Sequence, residues 1–134
     1  MNIGRVVFDT NVIVSASLSR NGNPANVYKM FLAGTLTLFF CEAIFTEYKD
    51  VLYRPHLKIL PSDADSIMTA VRQDGKKVMV TPSIGSMPDE DDRVFYDTAK
   101  TAGACLITGN IKHYPSEQFI LTPSAFLELL EYKS

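Results

Sequence analysis

Short apolar runs rich in β-branched and aromatic residues alternate with stretches of helical periodicity along the chain. This alternation restricts the fold more than any other feature of the sequence. Runs at 3–8 (IGRVVF), 36–40 (LTLFF), 77–80 (KVMV) and 104–107 (ACLI) read as strands, with a weaker one at 119–121. Pro24 sits in the first turn of a helix over 24–33 that stops at Gly34, and a helix over 42–53 runs into Arg54-Pro55. Ser62 with Asp65 resembles an N-cap for a helix ending near Gly75. Asp89 to Asp92 open another helix that ends near Gly103, and Thr122-Pro123 open the last. The pattern predicts an α/β layer fold around a mainly parallel sheet. The irregular pieces 54–61 and 81–90 are short enough to be loops within it.

A chain of 134 residues fits one domain spanning 1–134. Hydrophobic residues at 46% and charged residues at 21% show no sign of disorder or of a repeat array. The start MNIGRVVF has no leader-like apolar stretch, and no window approaches the roughly 18 apolar residues of a membrane span. The expectation is a cytoplasmic protein without a membrane partner. Cys41 and Cys105 lie in or beside apolar runs, with no CxxC pattern or neighbouring His, and read as reduced core residues. A formal charge of −2, with Lys and Arg scattered except at Lys76-Lys77, argues against tight polyanion binding by net charge. Such binding needs a local patch or a metal.

Within VVFDTNVIV, residues 6–14, Asp9 stands at the end of the first strand, where open parallel sheets gather ligands. It either caps a helix beginning around Val12 or belongs to a site. On the helix 42–53, Cys41, Ile44, Phe45, Tyr48, Val51 and Leu52 share an arc of roughly 120°. Glu47 borders that arc, whereas Glu42 and Asp50 lie on the solvated side; a bordering Glu serves as an ion-paired surface residue or as a ligand. Four consecutive acids, Asp89 to Asp92, precede the helix ending at Gly103, more than capping requires. Asp92 falls on the row of Phe95, Tyr96 and Ala99, and Asp97 is expected to be exposed. Thr108-Gly109-Asn110 leaves the fourth strand either as a plain turn or as part of the same edge.

Carboxylates gathered without basic partners raise one another's pKa values and pay for desolvation, and a hard divalent cation removes both problems. Oxygen ligands with no His or Cys nearby favour Mg²⁺ or Mn²⁺ over zinc. The matching reaction class is phosphodiester hydrolysis by activated water.

The ordered set VVFDTNVIVSA, EAIFTEYKDVLYRP and DEDDRVFYDTAKTAGACLITGN followed by KHYP resembles the PIN-domain ribonucleases, in particular the toxin-like branch of bacterial toxin–antitoxin systems. The resemblance covers about residues 3 to 115. It implies a three-layer α/β/α fold and a divalent-metal site that cleaves single-stranded RNA. Carried over, Asp9, Glu47 and Asp92 match the metal-binding acids, and Asn11 and Thr108 match polar positions that steady the site. The family's fourth acid falls at Asn110, an amide without charge, which puts a second metal in doubt; Asp91 is a candidate substitute. His113 is either a surface residue or a contact to substrate phosphate. An antitoxin protein and a homodimer are the partners implied.

Two other readings remain open. FDTNV also looks like the start of haloacid-dehalogenase-type phosphatases, with Asp9 as nucleophile, but Asn11 cannot shuttle the proton that scheme requires. A phosphoaspartate trapped on Asp9 would mark it. The other is a non-enzymatic RNA- or protein-binding module that has partly lost its metal site, supported by Asn110 and the low net charge.

Overall fold

The computed structural model describes residues 2–133. Among them the expected strands form one five-stranded, all-parallel sheet: β1 (Asn2–Phe8), β2 (Thr37–Phe40), β3 (Lys76–Lys77), β4 (Ala104–Ile107) and β5 (Ile120–Leu121). Helices α1 (Thr10–Leu18) and α2 (Asn23–Leu32) join β1 to β2, and α3 (Glu42–Leu52) and α4 (Pro61–Asp74) join β2 to β3. A 3₁₀ turn at Glu90–Asp92 leads into α5 (Arg93–Ala102), and α6 (Pro123–Lys133) follows β5. This is the three-layer α/β/α arrangement expected.

The strand order is β3-β2-β1-β4-β5. The chain therefore builds outward from β1 on one side, then returns to add β4 and β5 on the other. That reversal falls between β1 and β4, and the crevice beyond the carboxyl ends of those strands is the switch point where doubly wound sheets bind ligands. Phe8 pairs with Ile107, and the Asp9 N–H donates to the Ile107 carbonyl at 2.9 Å, so Asp9 and Thr108 leave the sheet side by side.

The core explains why these runs are continuous rather than alternating. Val6, Val7, Phe8, Cys105, Leu106 and Ile107 are wholly inaccessible, as central strands covered on both faces must be. Ile13, Val27, Ile44, Leu52, Phe95 and Phe126 complete the buried cluster from the helices. Both cysteines are free and buried, as expected.

Three local expectations change. The strand expected over 77–80 pairs only at Lys76–Lys77, with one further bond from the Val78 N–H to the Phe40 carbonyl at 2.9 Å. As an edge strand it buries little, Met79 being 88% exposed, and Pro82 ends any further ladder. α4 begins at Pro61 with Leu60 in the cap position, not at Ser62, because a proline in the first turn needs no N–H partner. α1 begins at Thr10, closer to Asp9 than expected.

Candidate active site

Asp9 occupies the position before α1, yet its side chain caps nothing. The carboxylate turns across the sheet edge instead, where its Oδ2 accepts hydrogen bonds from the Thr108 hydroxyl and the Tyr114 hydroxyl, each at 2.8 Å. The group is almost fully buried, at 5% exposure. Both donors are neutral, so its charge is solvated but not cancelled.

Each neighbour is placed by an element of the fold. Glu47, half-buried on α3, accepts a hydrogen bond from the Thr10 hydroxyl, the residue next to Asp9. The next residue on the same helix, the inaccessible Tyr48, donates its hydroxyl to the Phe8 carbonyl and so docks α3 on the end of β1. Asp92 closes the 3₁₀ turn ahead of α5, and its Oδ2 lies 3.0 Å from His113 Nδ1. Asp89 Oδ2 lies 3.8 Å from the same nitrogen, and Asp89, Asp92 and His113 present ligand atoms within 4.8 Å of one another.

Electrostatics couples Asp9 to Glu47 and Asp92, although the group whose ligand atoms lie within 4.8 Å of one another is Asp89, Asp92 and His113. Burial pushes the Asp92 carboxyl up to about 6, and the charge of Asp9 adds to this against the opposing bond from His113. Burial likewise raises Glu47; the Thr10 hydroxyl opposes that rise, and the charges of Asp9 and Asp91 reinforce it. Tyr114 is raised by burial, then by Asp9, Asp92 and Glu47. Asp9 is thus the common neighbour of both other acids. Among the described residues no Lys or Arg forms an ion pair with Asp9, Glu47 or Asp92; Arg54 acts on Glu47 only through its field.

The steadying residues have defined contacts. Asn11 Oδ1 accepts the Gly109 N–H at 3.0 Å, pinning the start of α1 to the turn after β4. Thr108 Oγ1 accepts the Asn110 N–H at 3.0 Å while donating to Asp9. Asn110 is exposed, and only its backbone joins this network. Asp91 is exposed, with its N–H donated to Asp89 Oδ1 at 3.0 Å. His113, its side chain 44% exposed, lies against Asp92, so the acids have a histidine neighbour that the sequence did not lead one to expect.

One expectation fails and three residues were not anticipated. Asp97 is 4% exposed, not solvated; its Oδ2 accepts the Ser83 N–H at 3.2 Å because the 81–89 loop folds back over α5. Thr10, Tyr114 and Asp89 belong to the site geometry. Thr10 adjoins Asp9 in sequence, and Asp89 belongs to the acidic run, so both carried a local signal. Nothing in the local pattern marks Tyr114, which reaches Asp9 across 105 positions.

A protein-family model described as PIN domain matches residues 5–112, most of the chain. Searches of the curated proteins and of the solved structures found no match.

Proposed function

The chain belongs to the PIN-domain family, and from that premise we propose that it is an endoribonuclease that cuts single-stranded RNA with the help of Mg²⁺ or Mn²⁺. PIN domains are generally nucleases and usually employ divalent metals. The observation that carries the reading is that burial, reinforced by the charge of Asp9, raises both Asp92 and Glu47 while no Lys or Arg among the described residues pairs with any of the three.

This donor set fits a hard cation, being three carboxylates whose mutual repulsion an ion relieves. Asp9, Glu47 and Asp92 would hold it, with Asp89 and Asp91 as further acids nearby and Asn110 able to offer only a carbonyl oxygen. Bound there, the ion supplies an activated water and neutralises charge on the phosphate. Thr108 and Tyr114 fix the Asp9 carboxylate, Thr10 fixes Glu47, and Asn11 holds the 108–110 turn in place. His113, held by Asp92, would contact a substrate phosphate.

Cleavage of a mixed single-stranded RNA pool with and without Mn²⁺, beside Asp9→Asn, tests the proposal. Cutting is expected only with metal and should fall at least about a hundredfold in the variant. Equal cutting by Asp9→Asn would overturn it.

Asn110 and the formal charge of −2 favour a second reading, a binding module with a weakened site. That reading predicts no calorimetric uptake of Mn²⁺ that Asp9→Asn abolishes. Within the nuclease reading, the resemblance to the toxin-like branch suggests that the chain acts as a cytoplasmic, homodimeric toxin restrained by an antitoxin protein. Expression of the chain alone should then arrest growth, and Asp9→Asn should relieve the arrest.

A further inference from the structure

A groove of about 400 Å³ opens beside the acids, where the first turns of α1, α2 and α6 meet. Its polar lining is Asn11, Ser15, Asn23, Asn110 and Ser124, with no ionisable side chain among the lining residues. Pro24 and Pro123 add apolar faces. Hydrogen bonds link the groove to the acidic site, since Asn11 holds the Gly109 N–H and Asn110 donates its own N–H to the Thr108 hydroxyl that binds Asp9.

We propose that this groove receives one unpaired nucleoside of the RNA next to the phosphate that is cut, its base read by the side-chain amides of Asn23 and Asn110. The proposal rests on the ribonuclease reading and adds a specificity subsite to it. A lining without cations suits a neutral heterocycle and ribose better than a phosphate. Amide side chains offer a donor and an acceptor together, the combination that base edges and a 2′-hydroxyl present. The proline faces offer apolar area to the ring, and the volume lies in the range of small-molecule pockets. Past Asn23 and Ser124 the next cavity is lined by Glu128 and Glu131 with Met30, Leu127 and Leu130. The lining there adds large apolar side chains to the amide and hydroxyl groups, which marks the end of the subsite.

Two measurements test the subsite. In the first, adenosine, cytidine, guanosine and uridine are titrated separately into the ¹⁵N-labelled chain with a chelator present, following the side-chain amide signals of Asn23 and Asn110. One nucleoside should shift them at about tenfold lower concentration than the weakest binder, and Asn23→Ala should erase the difference. Equal response to all four, or none, overturns the proposal. In the second, cut sites from a random RNA pool are sequenced. A base preference at one position beside the cut should relax about tenfold in Asn23→Ala combined with Ser124→Ala, with Mn²⁺ uptake unchanged. An unaltered preference overturns the subsite while leaving the nuclease intact. Absence of cutting by the unmodified chain would instead count against the nuclease reading, and the nucleoside titration would still decide whether the groove binds a base.

Discussion

Asp92 is the residue whose chemistry responds most to its surroundings. Its carboxyl is raised from 3.8 to about 6 by burial and by the charge of Asp9. A carboxylate with a raised folded pKa binds its proton more tightly folded than unfolded, so it stabilises the chain at low pH and loses that contribution as pH climbs through about 6. Glu47 acts with the same sign. The metal-free protein should therefore melt higher near pH 5 than near pH 7.5, and thermal melts in chelator check this. In Asp9→Asn the Asp92 titration, followed by NMR, should move down toward its ordinary range. Metal uptake should show the opposite trend, strengthening as pH rises, because the ligands must be ionised. Tyr48 makes a separate prediction. Tyr48→Phe removes the hydroxyl bonded to the Phe8 carbonyl in a fully buried setting. It should cost about 1–2 kcal/mol in urea unfolding.

At the scale of elements, the helix boundaries follow local chemistry and the loop carrying the acids does not. Gly103 ends α5 at φ 62°, a conformation that glycine adopts freely, and the sequence pattern placed the stop there. Gly75 also ends its helix where expected, but for a different reason. A Cβ on Gly75 would lie 2.5 Å from the Val71 carbonyl and 3.0 Å from the Phe40 ring. Gly75→Ala should destabilise the fold by about 1–3 kcal/mol, measured by denaturant unfolding. The acid-bearing loop is held by side-chain contacts instead. The Arg93 guanidinium bonds Ser83 Oγ at 2.7 Å and the Gly85 carbonyl, and it pairs with Glu90 at 2.7 Å. Arg93→Ala should expose the 83–86 segment to limited proteolysis faster than in the parent chain while leaving the far-ultraviolet circular dichroism unchanged. Helical periodicity alone assigned Asp97 to solvent, because the loop that covers it approaches from outside the helix.

For the molecule as a whole, binding of an ion at the three acids should appear as stability. At a free Mn²⁺ concentration a hundredfold above its dissociation constant, the gain is about 2.7 kcal/mol, and Asp9→Asn should abolish the rise in melting temperature. None of the described helices is long and apolar enough to cross a membrane. The α/β class and four of the five strands to within a residue or so were legible from periodicity and residue type, which left Asp9, Glu47 and Asp92 as candidates that the family resemblance singled out. Periodicity and residue type are local properties, set by backbone geometry and by what each side chain tolerates. The strand order was not legible, nor were the 105-position reach of Tyr114 to Asp9, the burial of Asp97 and the groove between the starts of α1, α2 and α6. These depend on which side of β1 the chain takes when it returns as β4. That choice is made by packing between distant segments, whose energy appears in no single stretch of the chain.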